Sequence, residues 1–209
     1  MEIKKNEYNW WYFFINFYWS DTNIINCSYD SILGVARMMI LLLIGGSGTG
    51  KSTIAKALQN NYSYFNIIKS YTTRFRRSID DRDHIFVRKH NLLYKMFNEG
   101  FVASTIINGE LYCSFDNQFV DDKINIYTVD DKGALDVINY FDKEDVLVVR
   151  LKRDNIDIPL ERAGRNLNEV IPDNCPNVNV VENNMSVHHA CLDVISLCSQ
   201  KWPDFYDNL

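Results

Sequence analysis

Residues 45–52 read "GGSGTGKS", and this octet constrains the chain more than any other stretch of it. It satisfies G-x-x-x-x-G-K-[ST] in full and sits between an apolar run, "MILLLI", and a segment of helical spacing, "KSTIAKALQNN". Strand, loop and helix in that order is the setting the motif needs to work. The glycines let the backbone close round phosphate oxygens, so that successive N–H groups point inward. The helix starting near Lys51 adds the positive end of its dipole. Lys51 is placed to reach the β- and γ-phosphates, and the Ser52 hydroxyl to ligate Mg²⁺. Gly45, Gly46, Ser47, Gly48, Thr49, Gly50, Lys51, Ser52 and Thr53 are therefore the candidate ATP-binding residues. A chance glycine-rich turn is the competing reading, and it leaves the Lys, the Ser and the flanking elements unexplained.

The rest of the pattern alternates strand with helix, which indicates a parallel α/β sheet. "HIFV", "LYCSF", "KINIYTV", "DVLVVRL" and "PNVNVVEN" read as strands, the last of these closing the sheet. "NLLYKMFNEG", "DDKGALDVINYF" and "SVHHACLDVISLCSQ" read as helices, the first ended by Gly100 and the third the last in the chain. Ile54, Ala57 and Leu58 mark the inner face of the helix after the loop.

A length of 209 residues suits one domain with a full core, and 46% hydrophobic with 23% charged residues is an ordinary globular composition. The formal net charge of −5 argues against a broad nucleic-acid-binding face. The cysteines, Cys27, Cys113, Cys175, Cys191 and Cys198, form no zinc knuckle or redox pair and read as reduced, mostly buried thiols in a cytoplasmic protein. His188 and His189 have no partner ligands at metal spacing.

Residues 1–38 form an aromatic-rich extension ahead of a domain at 39–209. "NWWYFFINFYW" is too short for a membrane span and lacks the features of a signal peptide. It fits a docking helix, an additional packed element, or residues foreign to the natural protein. The last option has a motive: Gly34-Val35 is encodable by a purine-rich stretch placed just upstream of Met38, which gives the expectation that translation starts there.

In an acidic chain, the cluster Arg74, Arg76 and Arg77 in "SYTTRFRR" asks for an anionic partner. A phosphate-transferring site needs a second anion pocket facing the first, and the planar arginine fork suits it. A solvated face paired with Asp80, Asp81 and Asp83 is the plain alternative. The block "SYTTRFRRSIDDRDHIFV" at 70–87 resembles the acceptor-site signature of guanylate kinases, with Ser70, Thr72, Thr73, Arg74, Arg77, Asp83, Phe86 and Val87 on the pattern and about two residues fewer before the Asp. "FVASTIINGELYCS" at 101–114, "IYTVDDKG" at 126–133, "LERAGR" with Arg162 and Arg165, and "VNVVEN" ending in Asn183 continue the resemblance over roughly residues 39–197.

That resemblance implies a three-layer, parallel-sheet P-loop kinase with a small acceptor-binding insertion at about 70–115 and a shortened lid. It implies ATP- and Mg²⁺-dependent phosphorylation of a nucleoside monophosphate, GMP or dGMP first. Ser70, Arg74, Arg77, His84, Tyr112, Ser114 and Asp130 become the acceptor-binding set. Lys51, Arg162, Arg165 and Asp130 become the catalytic set, and Asn183 falls near the adenine side. Three departures stand out. Ala103 replaces the glutamate that reads guanine, His84 replaces a tyrosine, and little chain separates Arg165 from Asn183 where the family has a helical lid and a further arginine. A histidine can still donate to phosphate, more strongly when protonated. A P-loop kinase for another small acceptor, and a related binding module without turnover, are the rival readings. Arg150 and Arg153 are left either flanking the nucleotide or as surface charge.

Overall fold

Strand β1 (Met39–Ile44) is apolar at every position because both of its faces are covered. Met39, Leu41 and Leu43 enter one core, while Ile40, Leu42 and Ile44 enter the other. The computed structural model containing it describes residues 37–154, 171 and 177–207. The N-terminal extension, Cys27, Cys175, Arg162, Arg165 and most of the shortened lid lie outside the described residues.

Four parallel strands flank β1: β2 (Phe65–Ile68), β7 (Ile124–Thr128), β8 (Val146–Lys152) and β9 (Val178–Glu182), in the order β2-β7-β1-β8-β9. On one face pack α1 (Lys51–Asn61) and α4 (Val187–Lys201); on the other packs α3 (Asp131–Tyr140). This is the expected three-layer α/β architecture. Helix α1 has the bounds that its spacing predicts, although it buries Ala55 with Ile54 and Leu58, leaving Ala57 at the margin of the core. Helix α4 starts at Ser186, whose hydroxyl accepts from the His189 N–H at 3.2 Å, so the His188–His189 pair belongs to a capped first turn. It is not the last helix: after Trp202, fully buried and donating to the Glu144 carbonyl at 3.3 Å, the short α5 (Pro203–Asp207) follows.

The insertion between β2 and β7 is a second sheet, ordered β4-β3-β6-β5, from β3 (Tyr71–Thr72), β4 (Ile85–Phe86), β5 (Ala103–Ile107) and β6 (Glu110–Ser114), with α2 (Lys89–Glu99) beside it. Helix α2 ends on Gly100, as its sequence requires. β5 and β6 form a hairpin turned by Asn108-Gly109, both at positive φ (53° and 80°). That is the backbone a two-residue hairpin of right-handed twist demands.

Because the five main strands run parallel, their C-terminal ends share one edge, where open α/β sheets collect ligands. The nucleotide loop leaves β1 there, Ser70 follows β2, Asp130 follows β7, Arg153 follows β8, and Asn183 follows β9. Among the described residues, no helix is long and apolar enough to cross a membrane.

Candidate active site

The loop after β1 is closed by its own donors. Lys51 Nζ donates to the carbonyls of Gly45 and Gly46, both at 2.7 Å, and Thr49 Oγ1 to Gly46 O at 3.0 Å. Two glycines are required by geometry. Gly45 has φ 132° and a Cβ there would lie 2.4 Å from the Leu151 carbonyl oxygen; Gly50, the N-cap of α1, has φ 98°. Asn183 Nδ2 donates to Thr49 O at 2.9 Å, tying the end of β9 to the loop. Asn183 therefore acts here through the loop backbone. Ser52 lies exposed at the helix start, on the wall of a cleft of about 530 Å³.

The opposite wall of that cleft comes from the second sheet. Arg74, Arg77, His84 and Tyr112 line it, together with Ser70, Ala103, Thr105 and Asp130 at its inner end. Lys51, Ser52, Arg74, Arg77 and Asp130, far apart in sequence, thus share one cavity. Lys56 of α1 pairs with Asp83 at 2.5 Å, bridging the two walls.

The arginine cluster divides its work. Arg74 donates from Nη1 to Asp81 Oδ2 at 2.8 Å and to the Phe75 carbonyl at 2.8 Å, and its guanidinium lies 5.0 Å from the Phe86 ring centre. Arg76 stacks near the same ring at 4.9 Å. Arg74 and Asp81 are mostly buried as a pair, which is unlike a solvated charge run. His84 sits edge-on to Tyr112 at 5.4 Å. Burial, with the Arg74 charge next in weight, lowers its pKa to about 4. At neutral pH His84 is uncharged, so the stronger donation of a protonated ring is not in play.

At the inner end, Ser70 Oγ and Tyr127 Oη are 3.0 Å apart. Burial raises Tyr127 to about 12, the hydrogen bond with Ser70 opposing it. Ser114, expected in the acceptor set, is fully buried and does not line the cleft. Asp130 caps α3: Oδ1 accepts the Gly133 N–H at 2.9 Å, and Oδ2 accepts the Thr105 hydroxyl at 2.8 Å. Thr105 is not singled out by the sequence; its place beside Asp130 comes from the packing of α3 against β5 of the second sheet. Ala103, 1% exposed, opens β5 where the cleft meets the core that holds Tyr127 and Ala134.

Arg150 fits neither expectation. It is buried in β8, where Nη2 donates to Asp131 Oδ2 at 3.0 Å, and the same oxygen accepts the Ile171 N–H at 2.9 Å. Arg153 does reach the cleft. The described cysteines Cys113, Cys191 and Cys198 are free and buried, and burial raises the Cys113 and Cys198 thiols to about 12. Among the described residues no group of three or more His, Cys, Asp or Glu side chains could hold a metal ion. Mg²⁺ in this setting needs less than that: it keeps several waters and binds phosphate oxygens plus one or two protein oxygens. The exposed Ser52 hydroxyl fits such a site.

Residues 37–137, from the start of β1 through the second sheet to α3, match the family model for guanylate kinase. The fold matches a solved guanylate kinase from Anaplasma phagocytophilum with a TM-score of 0.59, at 20% identity over 80% of this chain and 88% of that one. No curated protein matches the chain. The nucleotide loop and the arginine wall thus share one cleft of a fold like that of a guanylate kinase, and both lie in the segment 37–137 that matches the guanylate kinase family model.

Proposed function

We propose that the protein transfers a phosphoryl group from ATP, with Mg²⁺, to a nucleoside monophosphate, GMP or dGMP first. The observation that carries this reading is the shared cleft: Lys51 and Ser52 line one side, and Arg74, Arg77 and Tyr112 the other. The loop N–H groups and Lys51 hold the donor's phosphates, and Mg²⁺ on Ser52 would neutralise charge on them. Arg74 and Arg77, with the Tyr112 hydroxyl, hold the acceptor phosphate in line with the donor. Asp130, fixed by Thr105 and the α3 N-terminus, orients the acceptor. Arg162 and Arg165, outside the described residues, belong in this scheme as neutralisers of the phosphoryl group in flight. Positioning and charge carry such a transfer, and no strong general base is required.

Ala103 favours a second reading in which the acceptor base is not guanine. A methyl group accepts no hydrogen bond, and a buried donor left unpaired costs about 1–3 kcal/mol. The base end offers Ser70, Thr105 and Asp130 instead. A coupled ADP-release assay with each ribo- and deoxyribonucleoside monophosphate separates the readings. Turnover with GMP or dGMP alone supports the first, turnover with another monophosphate the second. Turnover with none leaves a binding module and removes the kinase.

A further inference from the structure

The acceptor wall already contains an anion. Asp81 Oδ2 accepts from Arg74 Nη1 at 2.8 Å and from the Arg77 backbone N–H at 3.2 Å. Two donors converging on one oxygen is how a phosphate oxygen is held. The cradle offers more than a carboxylate uses. Arg74 Nε and His84 Nδ1 are both buried, and neither has a hydrogen-bond partner among the described residues. The neighbouring Asp83 is drawn away to Lys56, so Asp81 occupies this place as one residue rather than as part of an acidic face. The segment carrying it is weakly anchored. Phe75 and Ile79, its two large apolar residues, are each 89% exposed, so no core holds Asp81 in place.

We propose that Asp81 is an internal stand-in for the acceptor's phosphate, holding the Arg74–Arg77 cradle when no acceptor is bound and leaving it when one arrives. This rests on the assignment of Arg74 and Arg77 to the acceptor phosphate. Exchange is required because a dianion placed beside the Asp81 carboxylate would bring like charges into contact on the same guanidinium. A phosphate dianion wins that exchange through its greater charge and additional oxygens, which the unmet Arg74 Nε–H can take, joined by His84 in the tautomer that carries its proton on Nδ1. A monoanion has no such advantage, so Asp81 sets a charge threshold for what the subsite accepts. Burial alone would raise the Asp81 pKa; the hydrogen bonds from Arg74 and the Arg77 backbone outweigh it and hold the carboxyl at about 2, so the stand-in is charged at any working pH.

Calorimetric titration of the full chain with inorganic phosphate and with GMP, comparing wild type, Asp81→Asn and Asp81→Ala, tests this. Both variants are expected to bind both ligands roughly fivefold more tightly, about the net worth of the hydrogen bond that no longer has to be displaced. Arg74→Ala combined with Asp81→Asn is expected to lose the gain. Unchanged or weaker phosphate binding in both single variants overturns the proposal, since a strut that merely orients Arg74 predicts that loss. Wild-type turnover alongside unchanged phosphate affinity in Asp81→Asn removes the stand-in and keeps the kinase. Tighter phosphate binding without turnover on any monophosphate does the reverse.

Discussion

The side-chain amide of Asn183 holds the carbonyl of Thr49 at 2.9 Å, fastening the end of β9 to the loop that follows β1. A Cβ on Gly50 would lie 2.4 Å from that same amide nitrogen. The latch and the glycine are one device, since the amide can approach the loop only where there is no side chain.

Gly50→Ala is therefore expected to lose stability on two counts, the collision with Asn183 and a φ of 98°. Together they cost about 1–3 kcal/mol, read by denaturant unfolding. Asn183→Ala removes one hydrogen bond to a buried loop carbonyl, about 1 kcal/mol. Its signature is a raised KM for ATP with the acceptor KM unmoved.

Arg150 and Asp131, 1% and 6% exposed, are a buried ion pair. Asp131→Ala leaves the guanidinium charge buried beside a methyl group, and a loss of roughly 3–5 kcal/mol is expected in equilibrium unfolding. A joint change to apolar residues of similar volume should restore much of it. An Asp131→Ala protein as stable as wild type would contradict the pairing.

His84 couples stability to pH. Its folded pKa, about 4, lies below its ordinary value of 6.5. Between those values the unfolded chain binds a proton that the folded chain does not, so stability falls as pH drops from 6.5 toward 4. The difference is of order 3 kcal/mol. Unfolding curves across this range should show a shallower slope for His84→Gln than for wild type; identical slopes would remove the buried neutral imidazole.

Ala103→Glu places a carboxylate on the cleft wall near Asp130 and Thr105. GMP kcat/KM is expected to rise relative to other monophosphates by about tenfold, one good hydrogen-bonded pair. An unchanged preference order would mean that the base lies elsewhere in the cleft.

Features set by local physics could be read from the chain alone. The all-apolar β1, the glycine loop, the bounds of α1 and the Gly100 stop each follow from a few neighbouring residues. What escaped depends on pairing at a distance. β2 and β3 are four and two residues long, with periodicity too short to register. β5 had an available signal in the Asn108-Gly109 turn, masked by the polar pair Ser104-Thr105 that follows Ala103. The same holds in the cleft. Arg74, Arg77 and Lys51 are legible from spacing, whereas the Thr105–Asp130 contact and the burial of Arg150 against Asp131 depend on where the N-terminus of α3 packs, between β5 of the second sheet and β8 of the first.

The central claim is that two anion sites face one another across one cleft, and a bisubstrate ligand measures it most directly. Adenosine and guanosine joined through a five-phosphate bridge should bind wild type at least a hundredfold more tightly than ATP or GMP alone, because the second site is filled at high effective concentration. Lys51→Ala and Arg74→Ala should each abolish that gain. An affinity no better than that of the tighter single nucleotide, or a gain untouched by Arg74→Ala, would contradict the account.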